Sequence, residues 1–243
     1  MTTTRAGWQI DEVASIGREN LDPAHVARYD DKEDAGAAQE VALLESLGYG
    51  TQTVLVDLGA GTGQFALEAA RTFGRVVAVD PSPVMLARLR ESVRHRASNL
   101  EVVEAGFLTY QHQGVAPDVV YSRWALHHLP DFWKSIALHR MRAMLPVGGL
   151  LRLSDVVFSF GLGEAEERIE KWCAVIGADD TEWTREDAEE HVRDEHSTYS
   201  WLLEPMIEAA GFEIREAKYS DDRFLADYLL DAAPLPNAQR IGA

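Results

Sequence analysis

From Thr53 onward, short apolar runs alternate with segments whose apolar residues recur every three or four positions. The order is TVLVDL, FALEAARTF, RVVAVD, PVMLARLRESVRHRA, LEVVEA, DVVYSR, FWKSIALHRMRAML and GGLLRLSDVV. The short runs predict buried strands, the helical spacing predicts amphipathic helices, and their alternation predicts βαβ units around a parallel sheet. Gly74 closes the first of these helices and Pro146 ends the last, which leaves five strands placed by Val157.

The flanks follow other patterns. AQEVALLESL over 38–47 has helical spacing with Gly48 as its C-terminal cap, whereas residues 1–37 are polar, with one Pro-started helical piece, and read as a segment folded over something else. Between Gly161 and His196 stand 13 Asp or Glu against four Lys or Arg. That stretch predicts two helices separated near Gly177 to Asp180, the second begun by Thr184 with Asp187 three residues on. TYSWLLEPMIEAAG returns to helix, and FEIREAKYS and RFLADYLLDA, joined by a turn at Asp221 and Asp222, predict a closing antiparallel hairpin. The expected organisation is an N-terminal lid segment (1–37), a core (38–160), an inserted acidic helical cap (161–198), and a C-terminal helix and hairpin (199–243) that complete the core.

Composition narrows the function. With 46% hydrophobic and 26% charged residues the chain is an ordinary globular sequence, so disorder is expected only at its ends. A formal net charge of -17 repels nucleic acid and anionic membranes, so neither is expected as a direct partner. The single cysteine, Cys173, excludes an internal disulfide framework and a multi-Cys metal site; no metal is expected. No signal-peptide core and no run of about 18 apolar residues is found, which predicts a cytoplasmic protein.

The chemistry concentrates in VLVDLGAGTGQ (54–64). Gly59, Gly61 and Gly63 follow a strand and precede a helix, so the backbone can turn tightly and a ligand can approach its amides. A dinucleotide loop begun at Gly59 needs its last glycine at position 64, where this chain has Gln64. The pattern is D-x-G-x-G-x-G, with Asp57 at the strand end where its carboxylate can meet a cation. S-adenosylmethionine, which lacks phosphate and carries an ammonium and a sulfonium, suits that acid better than a pyrophosphate.

Residues 53–157, and less closely the terminal hairpin, resemble the class I S-adenosylmethionine-dependent methyltransferases. The resemblance implies a Rossmann-like α/β fold: a seven-stranded, mostly parallel sheet of order 3-2-1-4-5-7-6, strand seven antiparallel, with helices on both faces and a helical cap. DLGAGTG is similar to the family's cofactor loop, which assigns Asp57, Gly59, Ala60, Gly61, Thr62 and Gly63 to the cofactor. Asp80, the last residue of RVVAVD, matches the acid that holds both ribose hydroxyls, a bidentate geometry suited to a carboxylate. Pro81, Ser82 and Met85 resemble the residues that flank adenosine. Relatives place an acid after the third strand to accept from the adenine amino group. Here Gly106 stands there, so adenine recognition is expected from backbone groups with Phe107 against the ring, or from Glu104 if the register slips.

PDVVYSRWALHHLPDFW is similar to the fourth-strand motif, whose residues just past the strand line the transfer site. Ser122 and Arg123 fall on its cofactor side and Trp124 on its acceptor side. Helical neighbours point about 100° apart, so one of His127 and His128 is expected to face the pocket, by analogy His127. A pocket histidine could deprotonate an acceptor, its unperturbed pKa lying near about 6.5. The alternative is that both rings pack or satisfy turn carbonyls and transfer proceeds by positioning. LPVGG is similar to the turn before the fifth strand. Tyr29, with His25 and Lys32, occupies the lid position, and Tyr199 and Trp201 at the cap junction join Tyr29 as expected acceptor contacts. Trp172, Trp183, His191 and His196 belong to the cap that could close over them.

The reading as a whole is a methyltransferase that moves a methyl group to an oxygen or nitrogen of a small molecule and releases S-adenosylhomocysteine, as a monomer or homodimer. Its rivals are a non-catalytic protein that binds the same cofactor and, disfavoured by Gln64, an NAD-dependent oxidoreductase.

Overall fold

Val54–Leu58 (β1) lies mid-sheet and pairs in parallel with Arg75–Asp80 (β2) on one side and Val119–Arg123 (β4) on the other. Strands covered on both faces need no polar alternation, which is why these runs are continuously apolar. Leu100–Glu104 (β3) extends the sheet beyond β2, and Leu150–Phe158 (β5) extends it beyond β4. Thr198–Tyr199 (β6) adds a two-residue parallel pairing to the end of β5 that the periodicity does not predict. Phe212–Tyr219 (β7) and Leu225–Ala232 (β8) form the antiparallel hairpin, with β8 inserted against β5. The order β3-β2-β1-β4-β5-β8-β7 is the expected topology, the hairpin strands being the expected sixth and seventh.

This computed structural model describes residues 7–17, 20–23, 26, 36–93, 98–176 and 184–234. His25, Tyr29, Lys32, Trp183 and the break expected at Gly177 to Asp180 lie outside the described residues. No helix among the described residues is long and apolar enough to cross a membrane.

Helices cover both faces. Ala37–Ser46 (α2), Gln64–Thr72 (α3) and Pro83–Val93 (α4) bury Val41, Leu44, Phe65, Leu86 and Leu89 on one side of the sheet. Asp131–Met144 (α5) and Ser200–Ala209 (α8) bury Leu138, Met141, Leu203 and Ile207 on the other. A one-turn helix near the N-terminus, Glu12–Ser15 (α1), lies over the cavity at the strand ends. A buried ion pair locks α2 to the sheet. Arg152 on β5 donates to both oxygens of Glu40, at 2.8 and 2.7 Å, and to Asp227 on β8 at 2.8 Å.

The cap is the pair Ala165–Ile176 (α6) and Arg185–Asp194 (α7). The second begins as expected: Thr184 Oγ1 accepts from Asp187 N–H, and the Asp187 carboxylate accepts from Thr184 N–H at 2.7 Å. Phe158, Phe160 and Phe224, with Trp172 stacked on Phe224, fasten the cap to the sheet end.

Candidate functional site

The carboxyl ends of β1, β2, β4 and β5 open into one cavity of about 910 Å³. Its centre lies where the strand order reverses between β1 and β4, the place where a doubly wound sheet leaves a crevice for ligands.

At one end sit the two predicted acids. Asp57 is buried and its Oδ2 has no hydrogen-bond partner; burial, then the neighbouring Asp80, raises its pKa well above the carboxylate range. Such an orphaned oxygen calls for a positively charged ligand. Asp80 accepts from Ser82 N–H at 2.7 Å through Oδ1 and from Gly61 N–H at 2.8 Å through Oδ2. Burial nevertheless outweighs these amides and pushes its pKa up to about 6. Both oxygens keep acceptor capacity toward the cavity.

The loop between them needs its first glycine for two reasons. Gly59 has φ +79°, and a β-carbon there would stand 2.3 Å from Ala125 Cβ, in the turn after β4. Ala60, Gly61, Thr62, Pro81, Met85 and Phe107 line the same end, whereas Gly63 does not reach the cavity and packs on Leu89 instead. Ser122 is likewise a correction: it is buried under the turn and off the cavity wall, because alternate residues of β4 face opposite sides and Tyr121 and Arg123 take the wall.

Gly106 also leaves the cavity wall, and its neighbour in space explains why. Glu12, from α1, lays its carboxylate over Gly106, where it accepts from Leu108 N–H at 2.8 Å and from Thr109 Oγ1 at 3.0 Å. Burial raises its pKa despite these donors. An acid therefore does stand at the turn after β3, beside Phe107, but the N-terminal segment supplies it. Asn20 fixes the same segment by accepting from Ser82 Oγ at 2.6 Å through its carbonyl.

At the other end the chain turns out of β4 through Trp124, whose φ of +49° is uncommon for a bulky residue. Arg123 lies 4.0 Å over its ring, and both line the cavity. Leu126–His128 then forms a single 3-10 turn that projects into the cavity, so both His127 and His128 line it. The expectation that only one would do so assumed a helix lying along the wall. His127 is buried, with Nδ1 2.5 Å from Asp155 Oδ1 and Nε2 3.0 Å from Glu195 Oε2. Burial opposes a charge on this ring, yet the two carboxylates prevail and push its pKa up to about 10. Both ring nitrogens are engaged by carboxylates, so while this clamp holds neither faces an acceptor as the expected base would. Burial and the charged neighbour push His128 down to about 3, and its buried Nδ1 has no partner.

Glu195 reaches this place because the end of the cap is sewn to the turn: His196 N–H donates to His127 O at 2.9 Å, and Lys134 Nζ donates to the carbonyl of His196. His191 touches the same Glu195 oxygen through Nδ1 and meets Ser197 Oγ at 2.8 Å through Nε2. Tyr199 and Trp201, expected beside the acceptor, are corrections. β6 turns Tyr199 against Phe158 and Phe160, and Trp201, stacked on Tyr199, is 53% exposed; neither lines the cavity.

The residues at the Asp57 end fit S-adenosylmethionine: an unpaired buried carboxylate for its ammonium, a second carboxylate for its ribose, and a loop without side-chain bulk between them. Residues 55–149 match the family described as Methyltransferase domain. Over this stretch the chain is similar to methyltransferase domains. The uncharacterized methyltransferase YrrT of Bacillus subtilis is 26% identical over 116 residues, which are 48% of this chain and 53% of that protein. Trans-aconitate 2-methyltransferase of Variovorax paradoxus is 35% identical over 133 residues, 54% of this chain and 48% of that protein. The chain thus spans about half the length of these curated relatives. Magnesium protoporphyrin IX methyltransferase from Synechocystis PCC 6803, solved with bound S-adenosylmethionine, superposes with a TM-score of 0.64 at 13% identity. The superposition covers 94% of this chain and 100% of that one, a likeness of fold.

Glu12, Asp155 and Glu195 line or support this site without being singled out by any motif, whereas His191 is one of the cap residues expected to close over it. Only Asp155 left a signal, as an acid inside the apolar run LLRLSDVVF. Glu12 and Glu195 lie in polar stretches where charge is unremarkable.

Proposed function

We propose that this chain transfers a methyl group from S-adenosylmethionine to an oxygen or nitrogen of a small-molecule acceptor. The observation that carries the reading is the orphaned Oδ2 of Asp57, which opens on the same cavity as Trp124, His127 and the cap residue Trp172. A protein that only binds the cofactor needs no space beyond Trp124, yet the cavity continues past it to Ile176 and Ala188.

When bound, S-adenosylmethionine supplies a methyl group on a positively charged sulfur, already activated toward in-line displacement. Asp57 and Asp80 bind and orient it, and Glu12, Met85 and Phe107 enclose its base. Trp124, Leu129 and Trp172 exclude water from the acceptor side. His127, clamped between Asp155 and Glu195, contributes a fixed wall, so acceleration rests on positioning, which can lower a barrier by about 7–11 kcal/mol. The enclosed volume, the acidic surface and the relative named for trans-aconitate support a small acceptor.

Calorimetry with S-adenosylhomocysteine and with NAD tests the cofactor, and tighter binding of NAD overturns the reading. Incubation with labelled methyl donor and a panel of small carboxylates, hydroxyls and amines tests transfer. Labelled product is expected from one class; labelled donor left untouched by every class overturns the assignment to a small oxygen or nitrogen acceptor.

A further inference from the structure

The sequence predicts no metal, but the acceptor end of the cavity brings together donors that lie far apart in the chain. One nitrogen each from His127 and His128 and one carboxylate oxygen of Glu195 lie within 4.8 Å of one another. We propose that His127, His128 and Glu195, with His191 behind them, bind a divalent first-row transition metal ion such as zinc, which enters between His127 Nε2 and Glu195 and releases the proton they share to solvent.

Three observations carry this. The first is distance. Donors about 2.0–2.1 Å from a tetrahedral ion stand about 3.3 Å from each other, and His127 Nε2 already lies 3.0 Å from Glu195 Oε2. The second is outer support. Metal-binding histidines characteristically give their other nitrogen to a carboxylate, carbonyl or water, which fixes the ring. His127 Nδ1 pairs with Asp155 at 2.5 Å, and Nε2 of His191 meets Ser197 Oγ at 2.8 Å while its Nδ1 faces Glu195. The third is the buried Nδ1 of His128, which has no hydrogen-bond partner. An unpaired buried ring nitrogen is costly, and a role for that ring at an ion accounts for keeping it.

The donor set favours the class of ion. Imidazole nitrogens with one carboxylate suit zinc, iron or nickel, whereas calcium and magnesium prefer all-oxygen shells. His127, His128 and Glu195 also line the cavity, so an ion among them would keep a position open toward it, as catalytic rather than structural zinc sites do. That position would accept an oxygen of the acceptor. This role rests on the methyltransferase reading; ion binding itself does not.

The experiment uses the full chain, stripped with chelator and titrated with zinc chloride by calorimetry, with S-adenosylhomocysteine binding measured on the same samples. One saturable equivalent of zinc is expected. His128→Ala and Glu195→Gln should each weaken it at least ~10-fold, while His139→Ala, at an exposed position on α5, leaves it unchanged. Absent saturable binding, or equal affinity in both cluster variants, overturns the site. Zinc-edge X-ray absorption of the unaltered protein does not depend on how the variants fold: a shell of at least two imidazoles plus oxygen supports the site, and fewer imidazoles overturn it. Zinc binding without S-adenosylhomocysteine binding would instead sink the methyltransferase reading and leave the ion site standing.

Discussion

A β-carbon on Gly106 would stand 2.3 Å from Oε1 of Glu12, so the missing side chain of one residue is the space occupied by the other. The acid that the resemblance implies in the turn after β3 is absent from that turn, and the N-terminal segment places one there instead. It is pinned by Leu108 N–H and Thr109 Oγ1 and keeps lone pairs free beside Phe107.

Glu12→Ala and Gly106→Ala are therefore expected to have the same effect. The atoms that an alanine at 106 would meet belong to the far end of the Glu12 side chain, which can swing away without unfolding the turn. Each variant should weaken S-adenosylhomocysteine binding by about 1.5–3 kcal/mol, and the double variant by no more than either alone. Additive losses in calorimetry would separate the two residues and defeat the adenine assignment.

Asp57→Asn keeps the shape of the side chain and removes its charge. The free protein should melt at a higher temperature at pH 8, because a buried carboxylate beside Asp80 no longer has to ionise. S-adenosylhomocysteine should bind about 10–100-fold more weakly through loss of a charge-assisted contact to its ammonium. Unchanged affinity would show that the orphaned oxygen faces no cation.

Cofactor binding should depend on pH through Asp80. Burial raises its pKa in the free protein to about 6, and the ribose hydroxyls need the ionised form. Affinity should therefore fall as pH drops through 6, by up to about tenfold per unit for each proton that must leave, and Asp57, whose pKa burial also raises, adds to the fall. The fall should be shallower in Asp80→Asn, which has no proton to lose at that position, and binding at pH 5 as tight as at pH 8 in the parent would refute this account.

Glu40→Ala should destabilise the fold by about 3–5 kcal/mol, because it leaves buried Arg152 with the partly exposed Asp227 as its one acidic partner among the described residues. Urea denaturation reads the loss as a lower midpoint at unchanged slope. Replacing Arg152 by Met in the same chain should recover much of it, since the uncompensated charge is then gone. No recovery would mean that packing, and not charge, is what Glu40 supplies.

The Asp57 end of the site was legible because its acids share a local rule: each closes an apolar strand and precedes a turn. β6 was not legible, since two residues are too few to show a period, and Tyr199 was misplaced with it. His128 was set aside by assuming α-helical geometry for what is one tight turn.

The alternation of strands and helices, the glycine loop, and the positions of Asp57 and Asp80 were determined by the sequence itself, because side-chain period and turn chemistry act within a few residues. Whether Glu12 covers Gly106, and whether Glu195 meets His127 and His128, was decided only by tertiary structure. Those contacts join segments whose separation in space is set by how α1 and the cap fold back over the sheet, and no local pattern of apolar and polar residues carries that distance.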